Sequence, residues 1–237
     1  MEFKIRASSA NKIMTEPKAK SETLSQGAKT HCKEWLTETI FNRREEVKSR
    51  YIDKGHQTEG EALNLMVRVL KTGMLYKNEE RKSDEYKAGE CDIVYNGTII
   101  DNKSSYSLKT FPIFEDKLNP DYYAQVQVYM DLWKLEKAKV IYTLNNTPME
   151  ILSREVKWLE SDNEKQKVAM NHVFTEKYWK EVKEALFPNA DKVKFTSIED
   201  VKRVKVFDVA FDPEYINRMH IKVKHCREYI DQIKSML

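Results

Sequence analysis

The sequence lacks most of the features that announce a specialised environment. Its three cysteines, Cys32, Cys91 and Cys226, are odd in number and widely spaced. That excludes a disulfide framework, matches no zinc or iron–sulfur ligand spacing, and suits a reducing cytoplasm. No apolar run approaches the ~18–20 residues of a membrane span, and the polar N-terminus does not read as a secretory signal. A formal net charge of +3 is too small to announce nucleic acid by itself, although a basic groove can hide inside a near-neutral total. There is no internal repeat and no low-complexity segment. What is left is the expectation of a soluble cytoplasmic protein, one domain over 1–237, whose core a chain of 237 residues is long enough to build.

The most informative stretch is Gly89 to Ser104, GECDIVYNGTIIDNKS. A β-type run from Cys91 to Tyr95, an Asn96-Gly97 pair and a second apolar run from Thr98 to Ile100 together read as a β-hairpin. Pairing of its strands brings Asp92 and Asp101 within several ångströms of one another. Two carboxylates that close repel unless a cation lies between them. Lys103 is two residues past Asp101, so it projects from the same strand face. An acid pair with a neighbouring lysine describes a magnesium site with a cationic group beside the metal-bound water.

The rest of the chain supplies candidates around this hairpin. Near the start, Ala7-Ser8-Ser9 follows Arg6, and Ser8 or Ser9 suits the cap of a short helix ending before Pro17. Such a start is either an ordinary capped helix or an anion site with Arg6 beside it. Apolar spacing (Ala28, Trp35, Leu36, Ile40, Val47) predicts a helix over about 27–48, and a second over about 51–71 that stops at Gly73. The second helix opens with Gly55-His56-Gln57-Thr58-Glu59-Gly60-Glu61, a poor helix interior that suggests close approach of backbone to something else. Glu59 and Glu61, two apart, cannot face the same way. His56 reads as a surface histidine or one that supports the site indirectly.

Weak strands are expected at 74–76 and 81–87. Asn119-Pro120 marks the start of a helix to about Glu136, on which Tyr122, Gln125 and Tyr129 form one stripe. A glutamine among apolar residues needs polar partners or the solvent edge. Strands are expected at 139–144 and 150–156, a helix over about 161–186, a late strand over 204–211 and a terminal helix from Pro213. The C-terminal portion, about 161–237, is thus mainly helical. The order of elements predicts an α/β or α+β fold, a central mixed β-sheet flanked by helices.

Ala7-Ser8-Ser9, Gly55-x-x-x-Glu59, Asp92, Asp101-Asn102-Lys103 and Tyr122-Tyr123-Ala124-Gln125-Val126-Gln127 occur in that order over the first two thirds of the chain. This set resembles the PD-(D/E)xK nuclease superfamily, which has a restriction-endonuclease-like core. More closely, it resembles the phage lambda exonuclease and YqaJ-like recombination exonuclease family. The resemblance implies that Asp92, Asp101 and the backbone carbonyl of Asn102 bind Mg2+, with Mn2+ as a substitute. Glu59 supports the metal directly or through water. By the same resemblance Lys103 orients the attacking water or stabilises charge on the phosphorane, and Gln125, with Tyr122 or Tyr129, holds Lys103, water or a phosphate from the facing helix. Ser8 takes the 5′-phosphate of a DNA end, with Ser9 and Arg6 beside it and Tyr122 also against DNA.

The implied activity is 5′-to-3′ digestion of double-stranded DNA ends in phage-type recombination, within a phage-infected or prophage-carrying bacterial cell. A single-strand annealing protein as partner and a homotrimer follow on the same grounds. An endonuclease on the same core, or a binding module without cleavage, is the alternative. Asn102 departs from the pattern, which usually has an apolar residue there.

Overall fold

The structure, a computed structural model, describes residues 2–45 and 49–236. Two mixed sheets, rather than one, carry the helices. The smaller has strand order β1-β3-β2, built from β1 (Ile5–Arg6), β2 (Lys82–Ser83) and β3 (Lys87–Gly89). The larger runs β4 (Ile93–Tyr95), β5 (Thr98–Ser104), β6 (Lys137–Thr143) and β7 (Val204–Ala210) in sequential order. β4 and β5 form the expected hairpin, with Tyr95 opposite Thr98. Both turn residues take positive φ, 45° at Asn96 and 70° at Gly97, as a two-residue turn matched to strand twist requires. β5 and β6 then pair in parallel, Asp101 opposite Val140, through a crossover that contains α5 (Pro120–Trp133). Asn119 caps α5 by accepting the Asp121 N–H at 2.8 Å, and Pro120 occupies its first turn.

Side chains alternate along β5, and the two faces meet different helices. Ile99 packs into a core shared with α5 and with α9 (Pro213–Lys234), α1 (Ala10–Met14) and α2 (Gln26–Phe41), where Ala124, Val128, Met219 and Cys32 are buried. Ile100 faces the other way, against Met66 of α4 (Glu59–Leu70), with Ile93 and Ile141. Asp101 and Lys103 therefore share the α5 face with Ile99, whereas Asn102 and Ser104 share the opposite face with Ile100. A satellite cluster around Leu152, Trp179 and Phe187 joins α6 (Met149–Val156), α7 (Asp162–Ala169) and α8 (Glu176–Leu186).

Several elements differ from the sequence reading. The segment expected as a strand over 150–156 is helix α6: Ile151 and Leu152 are adjacent and both buried, and Val156 lies one turn beyond Leu152, a helical spacing. β6 pairs instead with β7. The helix expected over 51–71 is broken at Thr58 into α3 (Arg50–Gln57) and α4. The helix expected over 27–48 ends at Phe41, where Asn42 takes a left-handed conformation, and Val47 lies outside the described residues. The helix over 161–186 is likewise divided into α7 and α8. Residues 74–76 have no regular structure, and 81–87 holds β2 and only the first residue of β3. Among the described residues no helix is long and apolar enough to cross a membrane.

Candidate active site

Asp92 stands one residue before β4, and the register that sets Ile93 opposite Ile100 carries it to the level of Asp101. Its Oδ2 accepts the backbone N–H of Asn102 at 2.8 Å. Asp101 is fully buried, with Lys103 Nζ 2.7 Å from its Oδ2. Despite that ion pair, neither Asp101 oxygen has a hydrogen bond of good geometry. Burial and then the neighbouring Asp101 charge push the Asp92 carboxyl up to about 6. Burial raises Asp101 too, against the opposing pull of Lys103. For Lys103 burial acts downward, but the Asp101 and Asp92 carboxylates raise it overall. Two acids are thus forced together in a place that disfavours their charge, with Lys103 the cation beside them.

Lys103 is held from three sides. Besides Asp101, its ammonium donates to Gln125 Oε1 at 3.1 Å and lies 4.6 Å from the centre of the Tyr122 ring. Gln125 in turn donates from Nε2 to the Tyr129 hydroxyl at 2.9 Å, which fixes the orientation of its amide. The stripe read from the sequence on α5 is therefore a single chain of contacts ending on Lys103. Tyr129 packs against Gly89, where an added Cβ would come within 2.7 Å of its ring. Gln127, on another face of α5, acts elsewhere. It donates to the Ala210 carbonyl and accepts the Asp212 N–H, each at 2.8 Å, tying α5 to the junction of β7 and α9.

Asn102 proves compatible with its position. Its side chain faces away from Asp101 and accepts from Thr143 Oγ1 at 3.0 Å on the adjacent strand. Asn145 donates to the same Thr143 oxygen at 3.0 Å, and Ser104 meets Thr58 Oγ1 at 3.0 Å. The polar spacer is satisfied by a side-chain network on the side of α3, where an apolar residue would have packed.

Asp92, Asn102, Lys103, Tyr122 and Glu59 all line one hollow of about 440 Å³, together with Gly55 and His56 of α3 and with Lys77. Gly55 has open space where a Cβ would stand. Glu59, at the start of α4, does not close on the aspartates. Among the described residues the potential metal-ligating groups of which three converge within 4.8 Å are Asp84, Asp131 and His220, elsewhere in the fold. Glu59 is instead gripped by Lys77 Nζ, at 2.8 Å from Oε1 and 2.9 Å from Oε2. Lys77 carries no signal in the sequence, being one lysine among many in a stretch without periodicity.

Arg6 and Ser9 line a different hollow, of about 860 Å³, with Lys4, Lys12, Trp35 and Arg44, and the two hollows share no residue. Arg6 lies 3.9 Å from Glu38. Partial burial and the nearby Arg44 lower its affinity for its proton, against the pull of Glu38, and the hollow mixes these bases with Glu34, Glu38 and Glu45. Ser9 occupies the cap position of α1 without a side-chain hydrogen bond to the helix, so its hydroxyl is not spent there. Ser8 is exposed, on a 3-10 turn (Ala7–Ser9) that packs against α5. The structure therefore sets the serine turn beside the helix that carries Gln125, but leaves Arg6 and Ser9 outside the hollow of Asp92 and Lys103.

Family models and curated relatives give no match to the sequence. Solved structures do. A phage-related exonuclease from Haemophilus somnus 129PT superposes with a TM-score of 0.76 at 25% identity, over 100% of this chain and 97% of that one. An alkaline exonuclease from Laribacter hongkongensis superposes with a TM-score of 0.60 at 12% identity, over 98% of this chain and 92% of that one. The same enzyme bound to dAMP gives the same values.

Proposed function

From a chain that shares the phage-type exonuclease fold from end to end, we propose a divalent-metal-dependent deoxyribonuclease that digests double-stranded DNA from a 5′ end. The observation that carries this reading is the buried Asp101 carboxylate, whose oxygens lack hydrogen bonds although Lys103 and Asp92 crowd it. An acid pair whose buried member contacts one ammonium and accepts no hydrogen bond of good geometry fits a hard cation, and an all-oxygen donor set fits Mg2+, with Mn2+ as a substitute. Asp92, Asp101 and the Asn102 carbonyl would hold the ion, and Glu59 would act through water. Such an ion supplies Lewis acidity to the phosphodiester and lowers the pKa of bound water.

The chain's own groups divide the remaining work. Lys103 orients the attacking water or stabilises charge on the phosphorane. Gln125 and Tyr122 keep the ammonium in place, and the Tyr129 hydroxyl keeps Gln125 in place. Ser8, with Arg6 and Ser9 close by in sequence, would receive the terminal 5′-phosphate. Under this reading the partners are DNA ends, a single-strand annealing protein and further copies of the chain in a trimer.

An end-labelled linear duplex with Mg2+ tests the reading. Asp92→Asn and Lys103→Ala are expected to lose on the order of 10²–10³-fold or more in hydrolysis. A 5′-phosphorylated end should be preferred, and a closed circular duplex should stay intact. Undiminished hydrolysis by either variant would remove the site assignment, and nicking of the circle would turn the assignment to an endonuclease.

A further inference from the structure

Lys77 is a second lysine in the hollow. The chain reverses after α4 through Lys71 in a left-handed conformation. The segment is then tied to the strand that leads to the acid pair. The Asn78 N–H donates to the Asp92 carbonyl at 2.7 Å, and the Asn78 amide donates to the Cys91 carbonyl at 3.0 Å. The residue just before that anchor reaches across to α4 and contacts both oxygens of Glu59. Three carboxylates, Asp92, Asp101 and Glu59, thus face two ammonium groups, those of Lys103 and Lys77.

Resting on the metal-site reading above, we propose that Lys77 is a positioning residue that competes with the divalent cation for Glu59 and so sets how tightly the ion is held. The ion pair is half-exposed, and such a pair is individually weak, so a dication can displace it. The displaced ammonium stays tethered next to the site through Asn78, and its charge continues to oppose the ion. A site tuned this way holds its metal loosely until the phosphodiester brings further negative charge, which ties metal uptake to substrate.

The test is the binding of Mn2+ to the intact chain, read from the electron paramagnetic resonance signal of free Mn2+, with no substrate and no turnover. Lys77→Met is expected to tighten binding by about tenfold. Lys77→Arg, which keeps the charge, should leave the wild-type affinity. In a Glu59→Gln background the gain from Lys77→Met should disappear. Unchanged or weaker binding by Lys77→Met overturns the proposal. So does an equal gain with Glu59→Gln in place, which would make Lys77 a generic charge rather than a competitor for that carboxylate. If instead the wild type takes up no Mn2+, or Asp92→Asn leaves the affinity unchanged, the metal-site reading beneath the proposal fails with it.

Discussion

Two lysines in this protein sit among acids, Lys87 fully buried and Lys103 half-buried, and their surroundings differ. Lys87, fully buried on β3, is paired with Asp84, lies 2.5 Å from Asp131 and 3.1 Å from His220. These are the groups that converge closely enough to hold a metal, but the ammonium already fills the space between them. Burial would raise both aspartates, yet hydrogen bonds from Lys87 lower them overall. Around Lys103 the outcome is reversed: Asp92 and Asp101 are raised and the Asp101 oxygens lack hydrogen bonds. One cluster is closed by its own cation and ties the small sheet to α5 and α9. The other is left incomplete, and an incomplete buried acid pair is the better candidate for chemistry.

The contrast breaks if neutralising either cluster has the same effect on stability. Lys87→Met leaves buried acids without their cation and is expected to cost about 3–5 kcal/mol. Asp101→Asn removes the repulsion with Asp92 along with the ion pair to Lys103, and in metal-free buffer its stability is expected within about 1 kcal/mol of the wild type. Denaturant midpoints at neutral pH compare the two. A large loss from Asp101→Asn would mean that the second cluster is also structural.

A smaller effect separates packing from chemistry. A Cβ at Gly89 would meet the Tyr129 ring at 2.7 Å and the Ala7 Cβ at 3.0 Å, so Gly89→Ala must shift one of them. A shift in Tyr129 passes through Gln125 to Lys103. Hydrolysis at saturating DNA is expected to fall by about ten- to a hundredfold in a chain that still melts cooperatively. Unaltered turnover would show that Lys103 does not depend on the Tyr129 contact.

The hairpin, the acid pair, Lys103 and the α5 stripe are legible in the sequence because each follows from a local rule: an Asn-Gly turn, alternation along a strand, or helical spacing. The helix at 149–156 reads as a strand because eight residues can satisfy an alternating and a helical pattern together, and only burial of adjacent Ile151 and Leu152 decides between them. Lys77 is illegible for a different reason. Its contact with Glu59 depends on where the 71–81 segment returns, and hydrogen bonds from Asn78 to backbone carbonyls carry no sequence signature. The closed cluster around Lys87 escapes likewise, since Asp84, Asp131 and His220 come from three regions far apart in the chain.

A third lysine sharpens the contrast because, among the described residues, no carboxylate grips it. Lys54 on α3 is fully buried, donates to the Tyr106 carbonyl at 2.8 Å, and lies between the Tyr106 and Phe174 rings. Burial brings it down to about 7, with Glu61 opposing from a distance, while the nearby His172 is itself lowered, by burial first and then by Lys54. Below about pH 7 Lys54 is charged in the folded and the unfolded chain, and burial of that charge weakens the fold in full. From about pH 7 to the ordinary lysine value of 10.5, the unfolded chain keeps a proton that the folded chain has released. Stability from this group therefore rises with pH across that window. Lys54→Met, which has no charge to bury, is expected to be more stable than the wild type by about 1–2 kcal/mol at pH 6, a figure reduced by the lost hydrogen bond to Tyr106. The advantage should shrink as the pH approaches 10, as measured by denaturant midpoints at each pH. A difference independent of pH would show that Lys54 keeps one protonation state throughout, and that its ring neighbours and the Tyr106 carbonyl suffice to hold an ammonium without an acid.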